Sequence, residues 1–312
     1  MDQAARFGDG RLLVIAFEGW NDAGEAASGA AGILRDSLEL SRLHEVDPEQ
    51  YFDYQFTRPV IEVDEDGKRR LRWPAATLFG PDAHPPTLPR AVEPEVPTGA
   101  HAAAASDDLG DVFVLLGSEP SRGWKSFAAE ILDQALVHDI TGIVVLGAML
   151  ADVPHTRPIS VFATSEEEAL RQEFELERST YEGPVGILSV IAELAAEMGI
   201  PTVSIWASVP HYVHNAPSPK ATLALIERLE DILGVPIPRG QLEDEATAWE
   251  SGIDALAGED EDMAAYIEQL EQARDTVDSP EASGDAIARE FERYLRKRGD
   301  GRDGFADGRD KS

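Results

Sequence analysis

The stretch Leu12-Leu13-Val14-Ile15-Ala16-Phe17-Glu18-Gly19-Trp20-Asn21-Asp22-Ala23-Gly24 decides the fold. Its six leading apolar residues show no alternation, so both faces of the segment have to be buried, as in an inner strand of a parallel sheet. A polar, Gly-containing turn ends the run. An Ala-rich helix at 22–40 follows, with Ile33, Leu34 and Leu38 on one side. The same rhythm recurs at 112–116, 142–146, 159–163 and 202–206, with helices expected at 124–137, 185–198 and 219–233. Gly199-Ile200-Pro201 stops one helix as a glycine C′ residue followed by proline should. Ser218 and Pro219 open another as N-cap and first helical residue. Strands alternating with helices specify an α/β core with a mostly parallel sheet.

The 312 residues suggest about two domains at roughly 150 residues each. Lys plus Arg number 27 and Asp plus Glu 59, a formal charge of -32. Such a chain repels phosphate backbones and anionic lipid, which excludes nucleic acid and membrane surfaces as partners. With no Cys, disulfides, thiolate catalysis and thiolate metal sites are excluded. The short run at 12–17 lacks the length and basic flank of a signal segment, and no run is long enough to span a bilayer. The expected location is the cytoplasm.

Two further regions stand outside the α/β rhythm. Val60-Ile61-Glu62-Val63 and Arg69-Arg70-Leu71-Arg72-Trp73 flank a turn with Asp66-Gly67, the signature of a β-hairpin, placed as an insertion at about 58–74. It either lies against another surface or subunit, where its arginines would meet carboxylates, or is an ordinary excursion of the sheet. Residues 80–110 read as a Pro- and Ala-rich loop. After a core at 1–234 and a linker at 235–240, the segment 241–298 carries only helical patterns. These are Trp249, Ile253 and Leu256, then Met263, Tyr266, Ile267 and Leu270, then Ile287, Phe291, Tyr294 and Leu295. Thirteen acidic residues against Arg274 give 243–278 a charge of -12. This reads as an acidic helical lid or extension whose self-repulsion salt would relieve. Residues 299–312 read as a disordered tail.

Ligands of an open parallel sheet bind beyond the carboxyl ends of the strands, so candidate residues lie in the loops there. Glu18, Gly19, Trp20, Asn21 and Asp22 follow the first strand; Asp22 is read as a helix cap, with anion binding the sharper alternative. Ser118 is a turn residue or a nucleophile without its elbow motif. Asp152, His155 and Arg157 share one loop, a mix suited either to acid–base work or to structural pairing. His211 and Tyr212 follow the last strand; His211 with His214 is a weak metal pair. Gly183 sits in Tyr181-Glu182-Gly183-Pro184, before a helix. Neither a dinucleotide fingerprint nor a P-loop is present, so no cofactor and no metal are expected.

The blocks at 16–24, 154–158, 181–186 and 204–212, above all Glu18-Gly19-Trp20-Asn21-Asp22-Ala23-Gly24 and Pro210-His211-Tyr212-Val213, resemble the proteasome assembly chaperone 2 family in its uncharacterised actinobacterial branch. The resemblance implies a three-layer α/β/α core of phosphorylase-like type, a hairpin serving oligomerisation, trimers, and a C-terminal helical region over the rim. With no catalytic constellation, it favours a non-enzymatic protein-binding or assembly factor that contacts itself and another protein complex. The alternative is a small-molecule-binding protein or a phosphorylase- or hydrolase-like enzyme using the rim loops.

Overall fold

In chain order the elements are β1 (Leu12–Glu18), α1 (Ala26–Ser37), β2 (Ser41–Glu45), α2 (Pro48–Tyr51), β3 (Val60–Val63), β4 (Arg69–Arg72), β5 (Ala76–Gly80), β6 (Val112–Ser118), α3 (Trp124–Val137), β7 (Gly142–Ala151), β8 (Val161–Thr164), α4 (Glu168–Phe174), α5 (Ile187–Glu197), β9 (Thr202–Pro210), α6 (Pro219–Leu233), α7 (Leu242–Ala257) and α8 (Glu261–Asp278). The computed structural model describes residues 7–64, 66–81 and 112–278. Most of the loop expected at 80–110, the helical pattern at 287–295 and the tail at 299–312 lie outside the described residues.

Seven strands form one sheet in the order β2-β5-β6-β1-β7-β9-β8. β6, β1, β7 and β9 are mutually parallel, while β5, β2 and β8 each pair antiparallel with their neighbours. Five of the seven strands therefore run the same way. The alternating pleat of β1 sorts its side chains between two cores. Leu12, Val14 and Ala16 pack with α1 and α6, and Leu13, Ile15 and Phe17 pack with α3 and α5. A three-layer α/β/α sandwich results.

The expected helices at 124–137 and 219–233 match α3 and α6, and Gly199 ends α5 at φ +75°. Other readings shift. The strand read at 159–163 as a buried parallel member is β8, a half-exposed antiparallel edge; the nine residues after β7 are too short for the crossover that a parallel partner needs. The first helix begins at Ala26 rather than Asp22, after a 3-10 turn in which Gly24 takes φ +61°. Ser218 stands at the N-cap of α6, yet its hydroxyl makes no capping bond, and its backbone N–H donates to Gly24 O at 2.7 Å. β2 and β5 carry no clear sequence signal: β2 is a short polar edge strand, and β5, paired between β2 and β6, is only five residues of mixed sequence.

The hairpin β3–β4 pairs outside the main sheet with Glu62 opposite Arg70. Its turn closes through Asp64: Lys68 N donates to Oδ1 at 2.8 Å, and Gly67 takes φ +75°. Arg70 pairs with Asp64 at 2.7 Å and Arg72 with Glu62, so two of the three arginines find carboxylates within the hairpin rather than on a neighbour.

Two glycines give opposite expectations for stability. A methyl on Gly32 in α1 meets nothing within 4 Å, so Gly32→Ala should raise stability by about 0.5–1 kcal/mol. At Gly117 a Cβ would lie 2.0 Å from the Ala75 carbonyl oxygen, so Gly117→Ala should cost more than about 2 kcal/mol. Urea unfolding midpoints measure both.

Candidate functional site

The rim beyond β1, β6, β7 and β9 holds two separate polar networks. The first starts where β1 turns at Gly19, φ +118°. Asn21 is 2% exposed; its carbonyl accepts from Ala148 N at 2.8 Å, and its Nδ2 donates to Glu119 Oε1 at 3.1 Å. The same Glu119 oxygen accepts from Ile187 N, the first residue of α5, at 3.0 Å. Gly186 has to be glycine here, since a Cβ would come within 2.2 Å of the Asn21 amide. At the start of α1, Asp22 Oδ1 accepts from Ala27 N at 2.8 Å and Ser28 N at 3.1 Å, and Oδ2 accepts from Ser28 Oγ at 2.5 Å. Burial pushes the Asp22 carboxyl above its ordinary range, against these hydrogen bonds. Ser118 Oγ donates to Glu18 Oε2 at 3.3 Å, a carboxylate partner that offers no nucleophile–imidazole pair. Trp20 is 65% exposed.

This network bears on anion binding. Free amides at a helix N-terminus attract phosphate. Of the helices that begin on this side of the rim, two already hold a carboxylate of the chain, Asp22 on α1 and Glu119 on α5, while α3, which follows β6, has none at its first turn.

The second network joins the β7 and β9 loops to α7 and α8. His155 is fully buried; its backbone N donates to Tyr212 Oη at 2.7 Å, Nδ1 lies 2.9 Å from the same oxygen, and Nε2 lies 3.0 Å from Asp254 Oδ1. An ionised carboxylate only accepts, so Nε2 carries hydrogen and, in the neutral ring, Nδ1 accepts from the Tyr212 hydroxyl. This carboxylate–imidazole–hydroxyl chain has the order of an activated nucleophile. Burial pushes the Tyr212 phenol up to about 12, and with His155 fully enclosed between loop and α7 the three groups act as a strut.

Arg157 forks onto Asp275, with Nε–Oδ1 at 2.7 Å and Nη2–Oδ2 at 2.8 Å, and Nη1 reaches Glu271 at 3.3 Å. The fork lowers the Asp275 pKa. Thr156 donates to Glu271, and Lys220 donates to His155 O at 2.6 Å while pairing with Glu250. Asp152 lies 3.2 Å from His211 Nδ1, without hydrogen-bond alignment, and Tyr266 packs edge-on against both His211 and Tyr212. His214 Nδ1 turns to the His211 carbonyl at 2.8 Å, so the two histidines do not converge. Among the described residues no three His, Asp or Glu are grouped to hold a metal.

The structure thus brings Glu18, Asn21, Asp22 and Ser118 together on one side, and Asp152, His155, Arg157, His211 and Tyr212 on the other. Gly183 joins neither: it makes room for the Tyr181 hydroxyl, which donates to Pro184 O at 2.9 Å. Sequence reasoning missed Glu119, Lys220, Glu250, Asp254, Glu271 and Asp275. The i,i+4 spacing of 250/254 and 271/275 places each acidic pair on one helix face and was the available signal. Those carboxylates face cations of the core, and the apolar seam runs through Leu242, Ala246, Ile253, Ile267 and Leu270, leaving Leu256 61% exposed. The α7–α8 arm is therefore held in part by ion pairs, so salt is expected to loosen these contacts while it screens the self-repulsion of the arm.

Two measurements follow. Raising NaCl from 0.05 to 0.5 M should speed amide exchange at 155–157 by about threefold, and Arg157→Ala should reproduce the effect at low salt. For Asp22, the folded pKa is raised, so the native state binds more protons and stability falls as pH rises through the window above 3.8. Asp22→Asn should flatten that part of the stability–pH curve, and Asp22→Ala should cost about 1 kcal/mol at neutral pH and more at pH values below the window, both read from thermal melts.

The PAC2 family model matches residues 16–257. A PAC2 family protein from Streptomyces avermitilis is 39% identical with a TM-score of 0.67, covering 82% of this chain and 99% of that one. A proteasome-assembly chaperone homologue from Mycobacterium tuberculosis is 40% identical with a TM-score of 0.66, over the same shares. An archaeal proteasome activator from Pyrococcus furiosus, at 15% identity and a TM-score of 0.57 over 79% of this chain and 93% of that one, shares the fold. No match was found among curated proteins. The motif resemblance is borne out over most of its length, and the chain belongs to the PAC2 family.

Proposed function

We propose that the protein is a non-enzymatic assembly factor of the cytoplasm. It works as a homo-oligomer, a trimer, that binds subunits of a larger protein complex. One observation carries this reading: the polar groups of the rim are engaged by the chain itself, while its large apolar side chains are exposed. Asp22 and Glu119 occupy the N-termini of α1 and α5, and Arg157, the cation a phosphorylase would need, is forked onto Asp275. Trp20, Met149, Leu150, Tyr181 and Val185 remain open to solvent on the rim loops or beside them. Exposed apolar surface of this kind serves protein contacts.

A second such surface surrounds the hairpin, where Phe56, Val60, Ile61, Val63, Leu71 and Trp73 are exposed. With Arg70 and Arg72 paired internally, self-association here is apolar rather than ionic. In this reading the core at 1–234 forms the oligomer, and the extension from 241 onward guards one half of the rim. Glu18, Gly19, Trp20, Asn21, Asp22 and Ser118 shape the open half, and Asp152, His155, Arg157, His211 and Tyr212 anchor the extension. The kinship with a proteasome-assembly chaperone homologue makes proteasome α-subunits the first partner to test.

Light scattering on the purified chain, alone and with recombinant proteasome α-subunits of its source organism, tests both halves of the proposal. The expected results are a trimer mass alone and a heavier mixed species with the subunits. Ile61→Glu with Val63→Glu should reduce the trimer to monomer, and Trp20→Ala should weaken the mixed species at least tenfold. A monomeric wild type would overturn the self-association. At about 50 μM of each protein any complex with a micromolar Kd is mostly formed, so the lack of a mixed species there would overturn the partner.

A further inference from the structure

β8 closes one end of the sheet with an uncharged edge. It reads Val161-Phe162-Ala163-Thr164, whereas β2 at the opposite end reads Ser41-Arg42-Leu43-His44-Glu45. Ser208 N donates to Ser160 O at 2.9 Å. By antiparallel alternation, Phe162 and Thr164 then turn their backbone groups toward β9, and Val161 and Ala163 turn theirs outward. Among the described residues the chain meets this outer edge at one end: Glu177 N lies 3.4 Å from Ala163 O, and Ser165 N donates to Glu177 O at 3.1 Å. Beside the edge runs a groove of about 590 Å³, with Phe162 40% and Tyr181 64% exposed along it. Open, uncharged edges invite pairing with other chains, and native proteins cover them with a helix or loop.

We infer that the chain beyond Asp278 is that cover, with the segment 284–298 seated in the groove through Ile287, Phe291, Tyr294 and Leu295. Position is the first argument. Arg274 Nη1 donates to Ser160 Oγ at 2.7 Å, which brings the last turns of α8 to the residue preceding β8. The eight residues 279–286 then reach up to about 27 Å, enough to enter the groove in any direction. Pattern is the second: spacings of four, seven and eight from Ile287 place the four apolar residues on one helical face.

Charge is the third. Residues 287–298 hold five basic side chains (Arg289, Arg293, Arg296, Lys297 and Arg298) against Glu290 and Glu292, a net +3 in a chain of -32. The groove wall offers the carboxylates of Glu175 and Glu177. Its cations are already engaged, Arg178 with Glu166 at 2.8 Å and Arg228 with Asp231 at 3.3 Å and Phe174 O at 3.1 Å.

Hydrogen exchange on the full chain, on a chain ending at Asp278, and on full-length Phe291→Asp with Leu295→Asp tests the inference. Amides at 161–164 and 175–181 should exchange about tenfold faster in both altered proteins, while those of β1 stay unchanged. Equal rates in all three would overturn it. Because the chain has no Cys, Thr164→Cys with Tyr294→Cys reports the occupant directly. A disulfide within one chain supports the docking. A link between chains, or none under oxidising conditions, would show that this edge takes a second copy or another protein instead.

Discussion

Every residue from Leu12 to Phe17 is at most 1% exposed, because β1 lies at the centre of the sheet with a helix pair on each face. The remaining layout follows from that burial. A strand covered on both sides needs parallel neighbours delivered by crossover helices, and those helices become the two outer layers. The parallel arrangement also places the ends of β1, β6, β7 and β9 on one rim, where their loops can meet. The antiparallel pairings lie toward the two ends of the sheet, at β2–β5, β5–β6 and β9–β8, where strands of short or mixed sequence suffice.

On that rim the protein places carboxylates at two helix N-termini whose amides would otherwise be free for a phosphate. Asp22 and Glu119 neutralise the positive ends of α1 and α5, and Asn21 ties the two strand loops together by bonding to Glu119 and Ala148. The loops after β7 and β9 use their imidazoles and cations differently, as fasteners for the acidic arm. His155 shows the contrast most clearly. Its place between a carboxylate and a hydroxyl matches a catalytic arrangement, but complete burial makes it a joint between loop and helix. An arm fastened by such pairs answers to ionic strength, and it leaves the Trp20 side of the rim uncovered.

Much of this is readable without coordinates. α3 and α6 fall where periodicity, Ser218-Pro219 and the apolar stripes put them, and Asp66-Gly67 marks the hairpin. The candidate residues are also found, since polar residues after apolar strands belong to the rim. Their roles are not legible. Asp152, His155 and Arg157 are the same string whether they bind a substrate or an arm, and the difference lies in Asp254, Glu271 and Asp275, about a hundred residues away. The capping role of Ser218 fails for a related reason: Gly24 packs against it and takes its backbone N–H, a contact no local rule contains.

The sequence by itself determined the layers, the family and the position of the rim, because each depends on local periodicity and on motifs within a few residues of one another. Only the tertiary structure decided what occupies the rim. Hydrogen bonds and ion pairs are short-ranged and directional, so which carboxylate meets Arg157, which helix end takes Glu119 and which proton sits on His155 depend on how separate elements are brought together. The same holds for the order of strands, which puts β8 at the end of the sheet while β9 is paired between two neighbours.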